Sequence, residues 1–545
     1  MAIKTSFRPI ARGMLRPTRA SAASRYTSSN LTFLHIRLAS SAALAKKLNI
    51  GGREVTVPTG LFIGNEFRPA IGGNTFAVEN PATGEEIVQV AEAREEDVNV
   101  AVTEARRAFE DKAWADVNPV ERGELLLRLA QLMERDKEDL IALEMLDTGK
   151  TYRQASNLDF PGSVGTLKYY AGWADKLVGL TSFNIPGAFA YTRREPLGVC
   201  GQIIPWNFPL LMFTWKIAPA VVTGNTVVIK SAEATPLSAL KMCELIKEAG
   251  FPAGTVNLLS GFGKTAGNAL ASHMDVDKVA FTGSTATGRA ILKASAASNL
   301  KKVTLELGGK SPNIIFADAD LDKAAEWSAW GINMNFGQTC HAGTRLYVHE
   351  DVYDAFLEKF TARMAALKVG DNFDRSVDQG PVNSKMQYDK ILGYIESGRQ
   401  EGATVHLGGS AAEASTKAGG KGYYVEPTIF TNVKPDMTIS REEIFGPVVT
   451  VTKFKTEEEV IELANDTTYG LAGAVHTKDY ARAVRMTNAI KAGTTWVNMY
   501  NLVHWSIPFG GYKQSGLGRE CGEAVLENYT EVKAVYLNTG MAAPQ

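Results

Sequence analysis

Residues 198–307 alternate between short apolar stretches and segments with helical spacing. The apolar stretches are residues 198–204, 226–229, 256–259, 278–282 and 303–307. Helices are expected to start near Phe208, Pro236, Thr265 and Thr287. Strands that alternate with helices in this way form a parallel sheet with helices on both faces. The sequence therefore predicts a doubly wound, Rossmann-like α/β domain with a nucleotide site at the carboxyl ends of its strands.

A chain of 545 residues exceeds one ordinary core, so further domains are expected. A second alternating α/β block, residues 309–514, is assigned as the catalytic domain, and residues 50–178 and 197–308 are assigned to the cofactor domain. Residues 179–196 and 515–540 contain extended segments outside both blocks, which the pattern alone equally allows as edge strands. Folded structure is expected to start near Gly51, and residues 120–146 have the spacing of one long helix.

The first 53 residues contain no Asp or Glu but ten Lys or Arg, with many Ser and Ala. Such a start is typical of a mitochondrial transit peptide, which we assign to residues 1–45, and it predicts the mitochondrial matrix as location. The alternative is a disordered basic tail that binds nucleic acid. Without this segment the chain has a charge of about −11, which gives no support for a nucleic-acid partner. No apolar run is long enough to predict a membrane span.

The chain has four cysteines, Cys200, Cys243, Cys340 and Cys521. None forms a CxxC pair, so the sequence predicts neither a disulfide scaffold nor a metal site. Few, scattered cysteines suit a reducing compartment.

Two segments contain residue types that suit covalent catalysis. Cys340 lies among small and polar residues, and Glu306 precedes Gly308 and Gly309. A thiolate needs an exposed polar niche, and a nearby carboxylate can take a proton from water or from the thiol. A lone cysteine is more often a small core residue, and a lone glutamate a surface charge. His341 follows the thiol directly. It can tune the thiolate, but a neighbour in sequence usually points elsewhere, which is the expectation here.

Three other segments contain residues that suit ligand binding. Asn207 follows an apolar strand and lies between two aromatic residues. A side-chain amide held in such a niche can donate a hydrogen bond to an oxyanion. The alternative is an asparagine that only forms a turn. Gly283, Ser284 and Gly288 form a glycine-containing turn at a helix start, a place that favours a phosphate. Lys230 and Glu233 follow a strand, where they can bind a ribose or be solvated charges.

These segments together resemble signatures of the NAD(P)-dependent aldehyde dehydrogenase superfamily. The matching strings are PWNFP (205–209), VIKSAE (228–233), FTGSTATG (281–288), LELGGKSP (305–312), FGQTCHAG (336–343) and EEIFGP (442–447). They follow the family's order over most of residues 55–537. The pattern is most similar to the tetrameric cytosolic and mitochondrial members that make free carboxylic acids. The resemblance therefore implies a homotetramer whose small β arm comes from residues 179–196 and 515–540.

The resemblance also implies roles for individual residues. The catalytic set is Cys340 as nucleophile, Glu306 as general base, Asn207 as oxyanion donor with the Cys340 N–H, and Glu520 in proton relay. The cofactor set is Trp206, Lys230, Glu233, Gly263, Gly283, Ser284, Gly288, Leu307, Glu443 and Phe445. The substrate tunnel is lined by Phe208, Met212, Trp215, Val503 and Phe509. The loop 500–507, which contains His504 and Trp505, departs from the family and is expected to shape the tunnel entrance.

The resemblance implies NAD-dependent oxidation of aldehydes to carboxylic acids through a cysteine thiohemiacetal and thioester. This reaction belongs to enzyme class 1.2.1, and the expected subclass is 1.2.1.3. NAD is the expected cofactor because Glu233 would repel a 2′-phosphate, and NADP stays possible. Glu306 argues against a coenzyme-A-acylating relative, which typically lacks that base. The alternatives are a betaine-aldehyde or amino-aldehyde dehydrogenase, a thioesterase that uses the same cysteine, and a cofactor-binding protein without turnover.

Overall fold

The computed structural model describes residues 44–544. The predicted transit peptide, residues 1–45, lies outside this range except for its last two positions. Within residues 44–544, no helix combines the length and the apolar character that a membrane crossing requires.

An eight-stranded sheet confirms the α/β fold class. Its strands lie in the order Gly516–Leu517, Lys302–Glu306, Lys278–Thr282, Val199–Ile203, Thr226–Ser231, Val256–Ser260, Leu61–Ile63 and Glu66–Arg68. The five central strands run parallel, and each of the three outer strands pairs antiparallel to the strand before it toward the centre. The parallel strands are buried on both faces, since Val227 and Ile229 contact one apolar cluster and Val228 contacts another. Burial on both faces explains why their sequences are apolar runs without alternation.

The strand order reverses beside Val199–Ile203, the first parallel strand in sequence. The chain builds outward from it through Thr226–Ser231 to Val256–Ser260, and then returns to its other side with Lys278–Thr282. Helices leave to opposite faces at such a reversal, which opens a crevice at the carboxyl ends of the strands. The predicted site residues Trp206 and Gly283 follow the two strands that border it.

A second, seven-stranded sheet continues the chain. Its order is Thr404–Leu407, Thr428–Thr431, Val448–Phe454, Arg345–His349, Pro312–Ile315, Ala472–His476 and Thr494–Val497, with only the first strand antiparallel. A smaller sheet joins Thr530–Asn538, Ala188–Pro196 and Thr181–Ser182 in antiparallel pairs. Strands Thr75–Asn80 and Glu85–Ala91 form a hairpin.

The helices of eight residues or more surround these sheets. They are Glu95–Glu110, Pro119–Arg135, Lys137–Thr148, Phe160–Ala171, Pro209–Val222, Leu237–Ala249, Thr285–Ala297, Leu321–Asn333, Tyr353–Ala365, Lys385–Gln400, Glu457–Asn465 and Tyr480–Ala489. The expected helix starts near Phe208, Pro236 and Thr287 agree with three of them. The segment near Thr265 is instead a π-helical turn, Gly263–Gly267, followed by the short helix Asn268–Ser272.

Two expectations about the N-terminal region were wrong. Folded structure begins before Gly51, because Ala45–Ile50 pairs with Arg53–Pro58 across a Gly51–Gly52 turn with φ angles of 57° and 87°. Two glycines between short strands are a hairpin signal. Residues 120–146 form two helices instead of one, because the chain turns at Asp136, where φ is −97° and ψ is 24°.

Buried carboxylates hold the starts of two helices in the crevice region. Glu144 Oε2 accepts the N–H of Leu210 at 3.3 Å, and Asp147 Oδ2 accepts the N–H of Leu237 at 3.0 Å. Both N–H groups belong to first helical turns, where the helix dipole favours negative charge. Glu144 therefore helps to fix the helix that begins just after Asn207.

A buried lysine neutralises this acidic group. The Nζ of Lys150 lies 3.4 Å from Glu144 Oε1, pairs with Asp159, and sits 4.2 Å from the centre of the Phe208 ring. Burial raises the pKa of Glu144 to about 7 even with Lys150 beside it. The cluster thus connects the helix Lys137–Thr148 to a residue of the predicted tunnel wall.

Candidate active site

One cavity of about 560 Å³ collects nearly all the predicted site residues. Its lining includes Trp206, Asn207, Phe208, Met212, Trp215, Lys230, Glu233, Gly263, Gly283, Ser284, Glu306, Leu307, Cys340, Glu443, Phe445, Val503, Phe509 and Glu520. Gly288 is the exception, and it lies behind the wall, where an added Cβ would meet the Leu307 side chain at 2.7 Å. Residues from both large sheets therefore converge on one space.

A left-handed turn presents the thiol to this cavity. Asn335, Phe336 and Gly337 have φ angles of 50°, 58° and 72°, which reverse the chain after the helix Leu321–Asn333. Cys340 is partly exposed, whereas Cys200, Cys243 and Cys521 are buried. Among these four thiols, Cys340 is therefore the one that a ligand in the cavity can reach.

The surroundings of Cys340 oppose its ionisation. Burial raises the pKa of the Cys340 thiol well above its usual range, and the carboxyl groups of Glu443 and Glu306 raise it further. Backbone hydrogen bonds from Cys340 and His341 act in the opposite direction. The sulfur thus needs donors around it to become a thiolate.

Asn207 is locked to the turn that carries the thiol. Its Nδ2 donates to the carbonyl of Gln338 at 2.9 Å, and its own carbonyl accepts from Asn335 Nδ2 at 2.9 Å. A side-chain amide has two hydrogens, so one is left for a ligand oxygen in the cavity that Asn207 lines. The side chain is buried, which preorganises it as a donor.

Glu306 ends the strand Lys302–Glu306 with its carboxyl group in the cavity wall. Its Oε2 is buried and has no hydrogen-bond partner among residues 44–544. Burial raises its pKa well above the usual range, and the neighbouring Glu520 adds to that effect. A carboxyl group with a raised pKa is a stronger base than an ordinary carboxylate, which suits the role of a general base.

Glu520 lies beside Glu306 and pairs with a lysine that sequence reasoning missed. Lys216 is buried in the helix Pro209–Val222, and its Nζ pairs with Glu520 Oε1. The other oxygen of Glu520 is buried without a partner among the described residues. A single lysine inside an otherwise apolar helix was the available signal, because a buried ammonium needs a carboxylate.

The predicted ribose-binding pair lies at one end of the cavity. Lys230 Nζ donates to the carbonyls of Ser231 and Gly261 at 2.7 Å each, and it lies 3.5 Å from Glu233 Oε2. Glu233 is about half exposed, at 46% for its side chain. Its carboxylate therefore faces open space, where a ligand hydroxyl can reach it.

The predicted phosphate turn is a capped helix start. Ser284 Oγ accepts the N–H of Thr287 at 3.3 Å, so the helix Thr285–Ala297 begins directly at the cavity wall. Gly263 also lines the cavity, and an added Cβ there would meet no protein atom within 4 Å. A helix N-terminus in the wall of a cavity favours a dinucleotide phosphate.

Glu443 and Phe445 face the centre of the cavity. Glu443 Oε1 accepts the N–H of Gly309 at 3.1 Å, and an added Cβ at Gly308 would lie 2.3 Å from Oε2, so a larger residue at 308 would displace the Glu443 carboxyl group. Burial raises the pKa of Glu443 to about 7. Phe445 has a φ of 64° and places its ring 5.3 Å from that of Trp206, edge to face. Strain of this kind in a bulky residue is typical of functional sites.

Aromatic and apolar side chains line the other end of the cavity. The rings of Trp215 and Phe509 meet edge to face at 5.9 Å. Trp505 also lines the cavity, and its indole lies against Gly165, where an added Cβ would come within 2.6 Å of the ring. The loop 500–507 therefore contributes Trp505 to the cavity wall, and its role at the tunnel entrance stays a prediction.

Comparison of the sequence with known proteins identifies one family. The profile of the aldehyde dehydrogenase family matches residues 67–535. An aldehyde dehydrogenase of Alternaria alternata is 56% identical over 487 residues, which are 89% of this chain and 97% of that protein. Retinal dehydrogenase 2 of Rattus norvegicus is 53% identical over 478 residues, which are 88% and 91% of the two chains.

A solved structure extends the similarity to three dimensions. The NAD+ complex of aldehyde dehydrogenase from Bacillus cereus superposes with a TM-score of 0.86 and 50% sequence identity. The match covers 88% of this chain and 97% of that chain. Identity at this level over nearly the whole length establishes family membership as well as fold.

Proposed function

This chain belongs to the aldehyde dehydrogenase family, and we propose that it oxidises free aldehydes to carboxylic acids with NAD through a thioester on Cys340. One observation carries the proposal: a reachable thiol, a locked amide donor and a buried carboxyl group line the same cavity as a nucleotide-binding crevice. The chain has Glu306 where an acid-forming reaction needs a base, so hydrolysis is the expected fate of the thioester.

The first step is attack on the carbonyl carbon. The Cys340 thiolate forms a carbon–sulfur bond, and the carbonyl oxygen becomes an oxyanion. The free Nδ2–H of Asn207 and the N–H of Cys340 donate to that oxygen. Because the hydrogen bonds to Gln338 and Asn335 hold Asn207 in advance, no reorganisation is needed when the charge develops.

The residues at the crevice fit NAD. Lys230 and Glu233 would hold the adenosine ribose. Ser284 and the helix that starts behind it would hold the phosphates, and Glu443 would hold the nicotinamide ribose. When bound, the nicotinamide supplies the hydride acceptor for the thiohemiacetal carbon, which leaves an acyl thioester on Cys340. The exposed carboxylate of Glu233 supports NAD over NADP, because it would repel a 2′-phosphate.

The last step is hydrolysis, which Glu306 promotes. Its carboxylate takes a proton from water, the oxygen attacks the thioester carbon, and the carbon–sulfur bond breaks to release the acid and the thiolate. Glu520 lies close enough to raise the pKa of Glu306, and it pairs with the buried Lys216. We propose that Glu520 accepts the proton from Glu306 in the next transfer.

The central experiment measures NADH formation by purified protein with an aldehyde panel that includes acetaldehyde, betaine aldehyde and an amino-aldehyde. We expect Cys340→Ala to abolish oxidation, because it removes the reachable thiol. We expect Glu306→Gln to keep a burst of NADH but to lower steady turnover by about a hundredfold, since the base acts on the thioester. Cys243→Ala, which removes a buried thiol elsewhere, is the matched control and retains activity.

Two results would contradict this scheme. Wild-type turnover in Glu306→Gln would remove the base from that position. Absence of NADH with every aldehyde, despite NAD binding, would favour the cofactor-binding protein without turnover. A clear preference for betaine aldehyde would instead support the narrower enzyme class.

The position of Trp505 predicts a limit on substrate size. We expect Trp505→Ala to raise kcat/KM for phenylacetaldehyde or decanal about tenfold and to leave acetaldehyde unchanged, because removal of a large lining side chain enlarges the cavity. Leu502→Ala, in the same loop but outside the lining, serves as control. Equal changes for small and large aldehydes would show that Trp505 does not select by size.

The location of the protein is a separate proposal. We propose that residues 1–45 direct it to the mitochondrial matrix, on the basis of their arginines and the absence of acids. A fluorescent protein fused to these residues should reach mitochondria, and replacement of Arg8, Arg12, Arg16 and Arg19 by Gln should abolish import. Mitochondrial import of that quadruple variant would overturn the assignment.

Assembly into a homotetramer is proposed from the small three-stranded sheet. Leu180, Phe183, Val532, Tyr536 and Leu537 are all exposed large apolar residues on it or beside it. Several exposed apolar residues on one small sheet favour association with another copy. Light scattering should give four chains, and Phe183→Asp with Tyr536→Asp should give smaller species. A wild-type monomer would refute the proposal.

A further inference from the structure

The imidazole of His341 points toward the neighbouring thiol, contrary to the expectation from sequence. Its Nδ1 lies 3.5 Å from the Sγ of Cys340, within the range of a hydrogen bond to sulfur. Among the side chains of residues 44–544, His341 provides the hydrogen-bond contact to this sulfur. The residue also lines the cavity.

Aromatic packing holds the imidazole in this position. Its ring centre lies 5.2 Å from that of Phe509 and 5.8 Å from that of Trp496. The hydroxyl of Tyr500 donates to the His341 carbonyl at 3.1 Å, and Gly343 leaves room for the Tyr500 ring. The ring and the backbone of His341 are therefore both fixed, and this packing keeps the imidazole in contact with the sulfur.

The imidazole is neutral in this environment. Burial lowers the pKa of His341 to about 3, and the three groups packed against it, Trp496, Tyr500 and Phe509, carry no charge at neutral pH. A neutral imidazole has one N–H and one lone pair. Full proton transfer from the thiol to this ring would create a buried imidazolium, which burial opposes.

The hydrogen-bond balance indicates which nitrogen carries the proton. The other ring nitrogen, Nε2, is buried without a partner among the described residues. Buried N–H groups without a partner are rarer than buried acceptors without one. The tautomer with hydrogen on Nδ1 therefore directs the donor at sulfur and leaves Nε2 as an unpaired acceptor.

We propose that His341 is a further catalytic residue, whose Nδ1–H donates to the sulfur of Cys340 and stabilises its thiolate. This rests on the proposed role of Cys340 as nucleophile. The S–H bond breaks with its proton passing to solvent, which reaches the partly exposed sulfur, and the electron pair stays on sulfur. The donated hydrogen bond then acts against the charges of Glu306 and Glu443, which face the same sulfur.

The experiment measures the rate of Cys340 alkylation by iodoacetamide as a function of pH, in the full chain without aldehyde or cofactor. Peptide mass spectrometry identifies the alkylated residue, and the three buried cysteines are internal references. His341→Leu removes the donor, whereas His341→Asn places an amide N–H near the position of Nδ1. Glu306 and Glu443 are present in every variant, so their titration is common to all profiles.

We expect the midpoint of the alkylation profile to rise by about one pH unit in His341→Leu, which is about a tenfold lower rate below the midpoint. A donor to the thiolate lowers the pKa of the thiol, so its removal raises it. We expect His341→Asn to stay close to wild type. Loss of kcat should accompany the Leu variant, with little change in the Kd for NAD.

Two outcomes would overturn the proposal. One is an unchanged midpoint in His341→Leu, and the other is a shift in His341→Asn as large as in the Leu variant, which would indicate a packing role. If the Leu variant fails to fold, His341→Met gives the same comparison with a more adaptable apolar side chain. Because alkylation requires no aldehyde, a shifted midpoint without aldehyde oxidation would refute the proposed function and leave only the hydrogen bond from His341 to the thiolate standing.

Discussion

A pair of reciprocal amide hydrogen bonds holds the loop with the thiol against the end of the first parallel strand, and the geometry of the site depends on it. Asn207 donates to the carbonyl of Gln338, and Asn335 donates back to the carbonyl of Asn207. The turn between them uses left-handed backbone at Asn335 and Phe336, which costs about 1–2 kcal/mol per residue. The same amides satisfy carbonyls that would otherwise be buried and unpaired, so they offset that strain.

The parts of the structure that sequence predicted depend on patterns within a few residues. Apolar runs between helical segments were sufficient to predict the parallel sheet. The residues that follow each strand were sufficient to predict the position of the crevice. The string around Asn207 placed an amide at the end of a strand, and the structure locates it in the cavity. These features are local because a strand and its carboxyl end are defined by the same short segment.

The parts that sequence did not predict depend on contacts between distant segments or on backbone angles. Lys216 is a single charge in an apolar helix, and its partner Glu520 lies about 300 residues away in the chain. The turn at Asp136 interrupts a helical spacing that continues on both sides, so periodicity could not show it. The strand Ala45–Ile50 contains two lysines that also suit a basic leader, and only its pairing with Arg53–Pro58 distinguishes the two.

Burial has the same electrostatic consequence for five groups of the site, since it favours the neutral form of each. It raises the pKa of Glu306, Glu443 and Cys340, and it lowers that of Lys230 and His341. A site that disfavours charge can still create a thiolate if neutral dipoles point at the sulfur, because dipoles avoid the desolvation that a second ion would suffer. Backbone N–H groups and a neutral imidazole are such dipoles. The same reasoning explains why the aromatic rings packed around His341 are compatible with reactivity at Cys340. These rings keep the imidazole neutral and fixed, so that its N–H can donate to the sulfur.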